Sequence, residues 1–180
     1  MNDYKEMMKK YSFHWALGGT DTSGGLEQNS EELEQLCRFI DEKDILTYLE
    51  IGIAHGRLLS FMTREMRLIG KGITLDKMDG HDGLNVIYGR SQSNKIKQEF
   101  EGCRFDLIFV DGDHSYGGVS SDYENFKDKC KYMAFHDILG LRQCEGVKQF
   151  WKEIKKEYEG RYWEFIGGTN PSGIGVLKIK

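Results

Sequence analysis

Tyr48-Leu49-Glu50-Ile51-Gly52-Ile53-Ala54-His55-Gly56 reads as an apolar strand that stops abruptly in a glycine loop, and the amphipathic run from Leu58 to Met66 follows it directly. The order is strand, glycine loop, helix. Glycine has no Cβ, so Gly52 and Gly56 permit a sharp turn and the close approach of a ligand, at the carboxyl end of a strand where open α/β sheets bind ligands. Glu50 sets an acceptor at the edge of that loop, with Ala54 inside it. An ordinary strand-to-helix turn has the same local signature, so the rest of the chain decides the reading.

Outward from this stretch, strands and helices alternate. Strand patterns fall at Leu46–Ile51, Gly72–Leu75, Leu84–Tyr88, Phe105–Val110 and Tyr132–Phe135. Helical spacing appears in Leu33, Leu36, Cys37 and Ile40 behind a cap at Asn29 or Ser30. It recurs in Leu58, Leu59, Met62 and Met66, in the polar run from Ser91 to Phe100, and in Val119, Tyr123 and Phe126. Short, nearly all-apolar strands separated by helices call for a parallel sheet covered on both faces. Val147, Phe150, Trp151, Ile154 and Tyr158 mark the best amphipathic helix. Two further strands, Tyr162–Ile166 and Ile174–Ile179, flank a turn at Asn170-Pro171-Ser172-Gly173, so the sheet ends in an antiparallel hairpin. Residues 1 to 28 show no regular period.

The totals limit the class. With 180 residues the chain suits one domain with one buried core, here 29 to 180, preceded by an N-terminal segment, 1 to 28. A net charge of -4 gives no reason to expect a nucleic-acid or membrane surface, and a small-molecule partner fits better. The four cysteines never form Cys-x-x-Cys, which suggests neither a zinc site nor a disulfide scaffold. No apolar run approaches about 18 residues and no signal-peptide core is evident, so a cytoplasmic location is expected.

In such a sheet the functional groups belong at the strand tips. Strand two ends at Asp76, placed to accept hydrogen bonds from ribose hydroxyls; a helix cap is the plainer role for a lone Asp. Strand three ends in Gly89-Arg90-Ser91-Gln92, where Gly89 admits a flat ring and Ser91 and Gln92 offer polar groups to a heterocycle edge. Ser91 also suits a cap on the next helix. Strand four ends in Asp111-Gly112-Asp113-His114, and strand five in His136-Asp137. Carboxylates and imidazoles packed straight after apolar strands are costly unless they gain a cation or a proton. Asp111, His136 and Asp137 would converge from adjacent strands as oxygen and imidazole ligands for Mg²⁺, Mn²⁺ or a related divalent ion. Alternatively, Asp111 serves the cofactor alone and His136 is a packed core histidine.

Glu50-x-Gly52-x-x-x-Gly56, Asp76, Gly89-x-Ser91-Gln92 and Asp111 together resemble, in order and spacing, the class I S-adenosylmethionine-dependent methyltransferases. The run Phe105 to Tyr116, with Phe135-His136-Asp137 and Gly146 to Trp151, is similar to small bacterial cephalosporin-hydroxylase-like and macrocin-type sugar O-methyltransferases and to the metal-dependent catechol-type enzymes. The resemblance implies a Rossmann-like fold with a mostly parallel seven-stranded sheet and a C-terminal hairpin. It implies that Glu50 and Gly52 approach the methionine part of S-adenosylmethionine, that Asp76 binds the ribose, and that Ser91 and Gln92 meet the adenine. It also places Asp111 on the first metal carboxylate of the catechol-type family. His136 and Asp137 fall on that family's Asp-Asn or Asp-Asp pair, from which His136 departs. Asp113 matches the general base of macrocin-type relatives, with His114 as its rival.

The expected reaction is attack of a small-molecule hydroxyl, sugar-like or catechol-like, on the sulfonium methyl group, with a divalent metal assisting. Three other classes share parts of the pattern. A nicotinamide dehydrogenase would want Gly-x-Gly-x-x-Gly, which is absent. A metal-dependent phosphohydrolase would read Asp111 and Asp113 as nucleophile and acid, a pair that usually follows the first strand. A non-catalytic cofactor-binding protein is the third. His14, Trp15 and Gly18 to Gly25 are expected as a small cover over the substrate, unless a second subunit of a homo-oligomer supplies one or the segment is a disordered tail.

Overall fold

The computed structural model describes residues 3–11, 26, 28–169 and 171–180, so the expected cover at His14, Trp15 and Gly18 to Gly25 lies outside the described residues, as does Asn170 of the hairpin turn. The elements in chain order are α1 (Tyr4–Lys9), α2 (Ser30–Glu42), β1 (Thr47–Ile51), α3 (Arg57–Arg64), β2 (Ile69–Thr74), β3 (Val86–Tyr88) and α4 (Asn94–Glu99). Then follow β4 (Phe105–Val110), α5 (Tyr116–Phe126), β5 (Cys130–His136), α6 (Glu145–Ile154), β6 (Tyr162–Phe165) and β7 (Ile174–Lys178).

The strands form one seven-stranded sheet in the order β3-β2-β1-β4-β5-β7-β6. The first five run parallel, and β7 inserts antiparallel between β5 and β6. This is the expected class I methyltransferase architecture. Strand residues alternate between two apolar layers. Tyr48, Leu107, Phe109, Ala134 and Val176 pack with α1, α2 and α3. Leu49, Ile51, Ile108, Val110, Met133 and Phe135 pack with α4, α5 and α6. Burial on both faces is why these strands lack polar alternation.

Several boundaries differ from the sequence expectation. Strand β2 begins at Ile69 instead of Gly72, because Ile69 pairs with Thr47 although it is exposed and is followed by glycine and lysine. Strand β3 shrinks to the residues that pair with β2, and β5 extends over Cys130–His136 because β4 and β7 pair along it. The aperiodic N-terminus contains α1, whose six residues are too few to reveal a period; Tyr4 and Met8 are buried, and Tyr4 donates its hydroxyl hydrogen bond to Asp41 of α2. Among the described residues no helix is long and apolar enough to cross a membrane.

At the edge of the sheet remote from the strand tips, Asp106 ties β4 to β1 and β5. Its carboxylate accepts from the Leu46 and Thr47 N–H groups at 3.0 and 2.9 Å and from the Thr47 hydroxyl at 2.9 Å, and it pairs with Lys131 at 2.7 Å. Burial disfavours its charge, but Lys131 and these donors outweigh that and lower its pKa to about 2. A depressed carboxyl stabilises the fold above its unfolded value and loses that contribution as pH falls through the folded one. Asp106→Asn should therefore lower the urea unfolding free energy by about 1–3 kcal/mol at pH 7. The difference from the native chain should close as pH falls from 4 towards 2; a constant gap would contradict the ionic origin.

Candidate functional site

A cleft of about 540 Å³ opens at the carboxyl ends of β1 to β4. It straddles the point where the chain, having built β2 and β3 on one side of β1, returns to build β4 on the other, which is where open α/β sheets bind ligands. Glu50, Gly52, Ala54, Asp76, Gly89, Ser91, Gln92, Asp111, Asp113 and His114 all line it. His136 and Asp137 join it through Asp111.

The β1–α3 loop owes its shape to three left-handed backbone positions, Gly52 (φ 88°), Ala54 (φ 42°) and Gly56 (φ 72°). The missing Cβ of Gly52 faces the Asp111 carbonyl and the Gly112 backbone, so the chain itself, as well as any ligand, demands glycine there. Ala54 is held by buried His81, whose Nε2–H donates to the Ala54 carbonyl at 2.6 Å while its Nδ1 accepts from the Met78 N–H at 3.3 Å. Glu50 is 2% exposed and accepts from the Tyr48 hydroxyl at 2.8 Å. Burial raises the Glu50 carboxyl, the Tyr48 hydrogen bond resists, and nearby Asp111 adds to the rise, which reaches about 8. Burial thus disfavours the charged form of Glu50.

Asp76 stands exposed at the rim, open to a ligand. Ser91 and Gln92 are committed inward: the Ser91 hydroxyl donates to Asp122 at 2.6 Å and the Gln92 amide donates to the same oxygen at 2.9 Å. The cap on α4 is Ser93, not Ser91. Asp122 is fully buried, and burial raises its pKa to about 6. Its second oxygen has no hydrogen-bond partner among the described residues. Asp122 is thus the post on which the Ser91–Gln92 wall is mounted.

At the far end of the cleft the strand register brings the expected ligands together. Val110 of β4 pairs with Phe135 of β5, so Asp111 and His136 emerge side by side, and donor atoms of Asp111, His136 and Asp137 lie within 4.8 Å of one another. Asp111 Oδ1 is 3.2 Å from His136 Nδ1 and 3.1 Å from His114 Nε2, and Asp111 Oδ2 accepts from the Gln28 amide at 3.0 Å. Burial opposes charge on Asp111, but His136 and His114 outweigh it and hold the carboxyl well below the usual range. Burial likewise pushes His136 down, yet Asp111 and Asp137 push it up by more. The hydrogen bond to Asp111 raises His114. Asp137 adopts φ 60°, a left-handed backbone that Asp tolerates better than most side chains and that recurs at functional sites.

Asp113 differs in character. It is exposed, its Oδ1 accepts the Ser115 N–H at 3.0 Å, and its carboxyl fills the space beside Gly118 in the first turn of α5. The bonds from Ser115 lower its pKa.

Sequence reasoning missed several members of the site. Cys144, in the loop before α6, places Sγ 3.1 Å from His114 Nδ1 and 3.1 Å from Asp137 Oδ2. Ser172 Oγ lies 3.2 Å from His136 Nε2, and Glu32 receives the Gly173 N–H at 2.9 Å. Glu32 alone carried a signal, since it sits on the buried stripe of α2 with Leu33, Leu36 and Ile40. Gln28, His81, Asp122 and Cys144 have no local pattern that marks them.

A methyltransferase-domain family model matches residues 49–138, half of the chain, from within β1 to just beyond β5. An uncharacterized protein of Acanthamoeba polyphaga mimivirus is 26% identical over 161 residues, covering 76% of this chain and 73% of the viral protein. Among solved structures, the O-methyltransferase TomG from Streptomyces achromogenes, in complex with SAM, superposes with a TM-score of 0.62 at 14% identity over 99% of each chain. The O-methyltransferase from Bacillus cereus in complex with SAH gives 0.57 at 17% identity, covering 81% of this chain and 79% of that one. MycE methyltransferase of the mycinamycin pathway, in complex with Mg and SAH, gives 0.64 at 15% identity, with 98% of this chain spanning 54% of MycE. The fold, the cleft at the switch point and the family match agree: the chain belongs to the methyltransferase-domain family.

Proposed function

We propose that the chain transfers the methyl group of S-adenosylmethionine to a hydroxyl of a small molecule, sugar-like or with neighbouring oxygens as in a catechol, with a divalent ion held by Asp111, His136 and Asp137. One observation carries the reading: a single cleft runs from the Asp76, Ser91 and Gln92 wall, past Glu50 and Gly52, to Asp111, where imidazoles and carboxylates converge. The complexes of TomG with SAM, of the Bacillus cereus protein with SAH and of MycE with Mg and SAH support the choice of cofactor and ion class.

Each group then has a task. Asp76, exposed at the tip of β2, accepts from the ribose hydroxyls. Glu50, whose charge burial disfavours, gains a reason to ionise beside a cation, which suits the ammonium of the methionine part. The acceptor oxygen attacks the methyl carbon in line with the carbon–sulfur bond; that bond breaks, its electrons remain on sulfur, and S-adenosylhomocysteine leaves. The protein's share is alignment of oxygen, carbon and sulfur, together with removal of the hydroxyl proton. A bound divalent ion supplies positive charge that acidifies a hydroxyl and orients neighbouring oxygens. Asp113 and His114 are the two candidate proton acceptors: one Asp113 oxygen accepts the Ser115 N–H, and the His114 ring sits between Asp111 and Cys144.

Calorimetry with S-adenosylmethionine should show binding that Asp76→Ala weakens by about 10- to 100-fold, the loss expected for a charged hydrogen-bond acceptor. Absence of binding to the native chain would sink the reading. A screen of sugar, catechol and hydroxy-acid acceptors, read as S-adenosylhomocysteine release, should give turnover that chelator abolishes and added ion restores. With the accepted substrate, whichever of Asp113→Asn and His114→Ala removes the base should lower kcat by about 10²- to 10⁴-fold. Full turnover in excess chelator rejects the ion, and equal turnover of both variants and the native chain rejects a base at either position.

A further inference from the structure

We infer that Asp122 selects a 6-amino purine for the cleft, by compelling Ser91 and Gln92 to present hydrogen-bond acceptors, and no side-chain donors, to the edge of the ring. The inference rests on the S-adenosylmethionine reading above, in which the adenine meets Ser91 and Gln92, and adds the positioning residue that sets the specificity of that contact.

A carboxylate accepts hydrogen bonds and donates none. Asp122 Oδ1 accepts from the Ser91 hydroxyl at 2.6 Å and from Gln92 Nε2 at 2.9 Å. The Ser91 proton is therefore spent, and only lone pairs of its oxygen remain for a ligand. The Gln92 amide is fixed in the same sense, because its carbonyl oxygen turned to Asp122 would set one acceptor against another. With the nitrogen held inward, Gln92 offers its carbonyl oxygen. Both residues line the cleft, so its wall at this point is an acceptor surface.

Such a surface suits the exocyclic amino group of a 6-aminopurine. It disfavours a 6-oxopurine, whose carbonyl would face oxygen and leave buried acceptors unpaired. Leu75 and Met78, exposed apolar side chains on either side of Asp76, line the same cleft and suit the face of a flat ring.

Asp122 is also costly to the fold. It is wholly removed from water on α5, and its Oδ2 has no hydrogen-bond partner among the described residues. That oxygen lies 3.8 Å from where a Cβ on Gly112 of the cleft would stand. A buried acceptor left unpaired destabilises the native state, and an apolar side chain of like volume would avoid the cost. The same replacement would free the Ser91 hydroxyl and the Gln92 amide to turn donors towards the ring. Burial raises the Asp122 carboxyl to about 6, against the Ser91 bond, with Asp113 adding to the rise and the Gln92 bond resisting. The polarity of the wall survives either charge state, since a proton on the partnerless Oδ2 leaves Oδ1 an acceptor.

The test is calorimetry on the full chain with S-adenosylhomocysteine and with S-inosylhomocysteine, which differ only in carrying a 6-amino group and bare N1 or a 6-oxo group and N1–H. The native chain should bind the adenosyl compound about 10- to 100-fold more tightly. Asp122→Asn keeps the shape of the side chain but can donate as well as accept, and Asp122→Leu can do neither. Each should bring the two compounds to within about threefold of one another, with tighter inosyl binding than the native chain shows. Loosened packing alone does not produce that gain. Thermal melts by circular dichroism verify that each variant is folded. If both unfold, the decision passes to Gln92→Leu, in which the adenosyl preference should shrink by about tenfold. Equal binding of the two compounds to the native chain overturns this inference alone, as does a preference of native size in the folded variant that decides. Binding of neither compound overturns it together with the S-adenosylmethionine reading.

Discussion

The hydrogen-bonded register of β1, β4 and β5 is the constraint on which the site depends. Ile51 pairs with Val110, and Val110 pairs with Phe135, so the next residues along, Gly52, Asp111 and His136, leave the sheet side by side. A slip of one residue would send these side chains to the opposite face. The contact between Gly52 and the Asp111 carbonyl is tight enough that only glycine fits, which ties the β1–α3 loop to the end of β4. The antiparallel strand β7 completes the row, since His136 pairs with Ile174 and so brings Ser172 and Gly173 to its side.

Around this row stand three buried polar side chains, each assigned to one loop. His81 holds the Ala54 carbonyl of the β1–α3 loop, Asp122 holds Ser91 and Gln92 of the β3–α4 loop, and Glu32 holds Ser172 and Gly173 before β7. A polar group taken out of water is costly unless it is hydrogen-bonded, so each loop has little freedom to abandon its partner. The left-handed backbones of Ala54 and Asp137 store local strain of about 1–3 kcal/mol each, which such anchors must offset.

Much of the architecture was legible because parallel strands buried on both faces have to be nearly continuous apolar runs, and Phe105–Val110 is such a run. The polar tips of β4 and β5 were legible for the complementary reason: Asp111, His136 and Asp137 follow strands so apolar that a charge there calls for a purpose. Asn29 was legible as a helix cap, and its side chain accepts the Glu31 N–H. Less was visible where local pattern and pairing disagree. Helix α1 is too short to show a period, and β2 starts in exposed residues whose place is set by Thr47 on the neighbouring strand.

By itself, the sequence determined the alternation of strands and helices, the glycine loop after β1 and the list of polar residues at the strand tips, because these depend on neighbours along the chain. Only the tertiary structure decided what surrounds the tips. It brought Cys144 and His114 to Asp137, turned Ser91 and Gln92 towards Asp122, and used Gly52 to admit the backbone of another strand. The physical reason is that hydrogen bonds, ion pairs and close approaches join residues tens of positions apart, and their partners are selected by sheet order and register, which no local window of sequence contains.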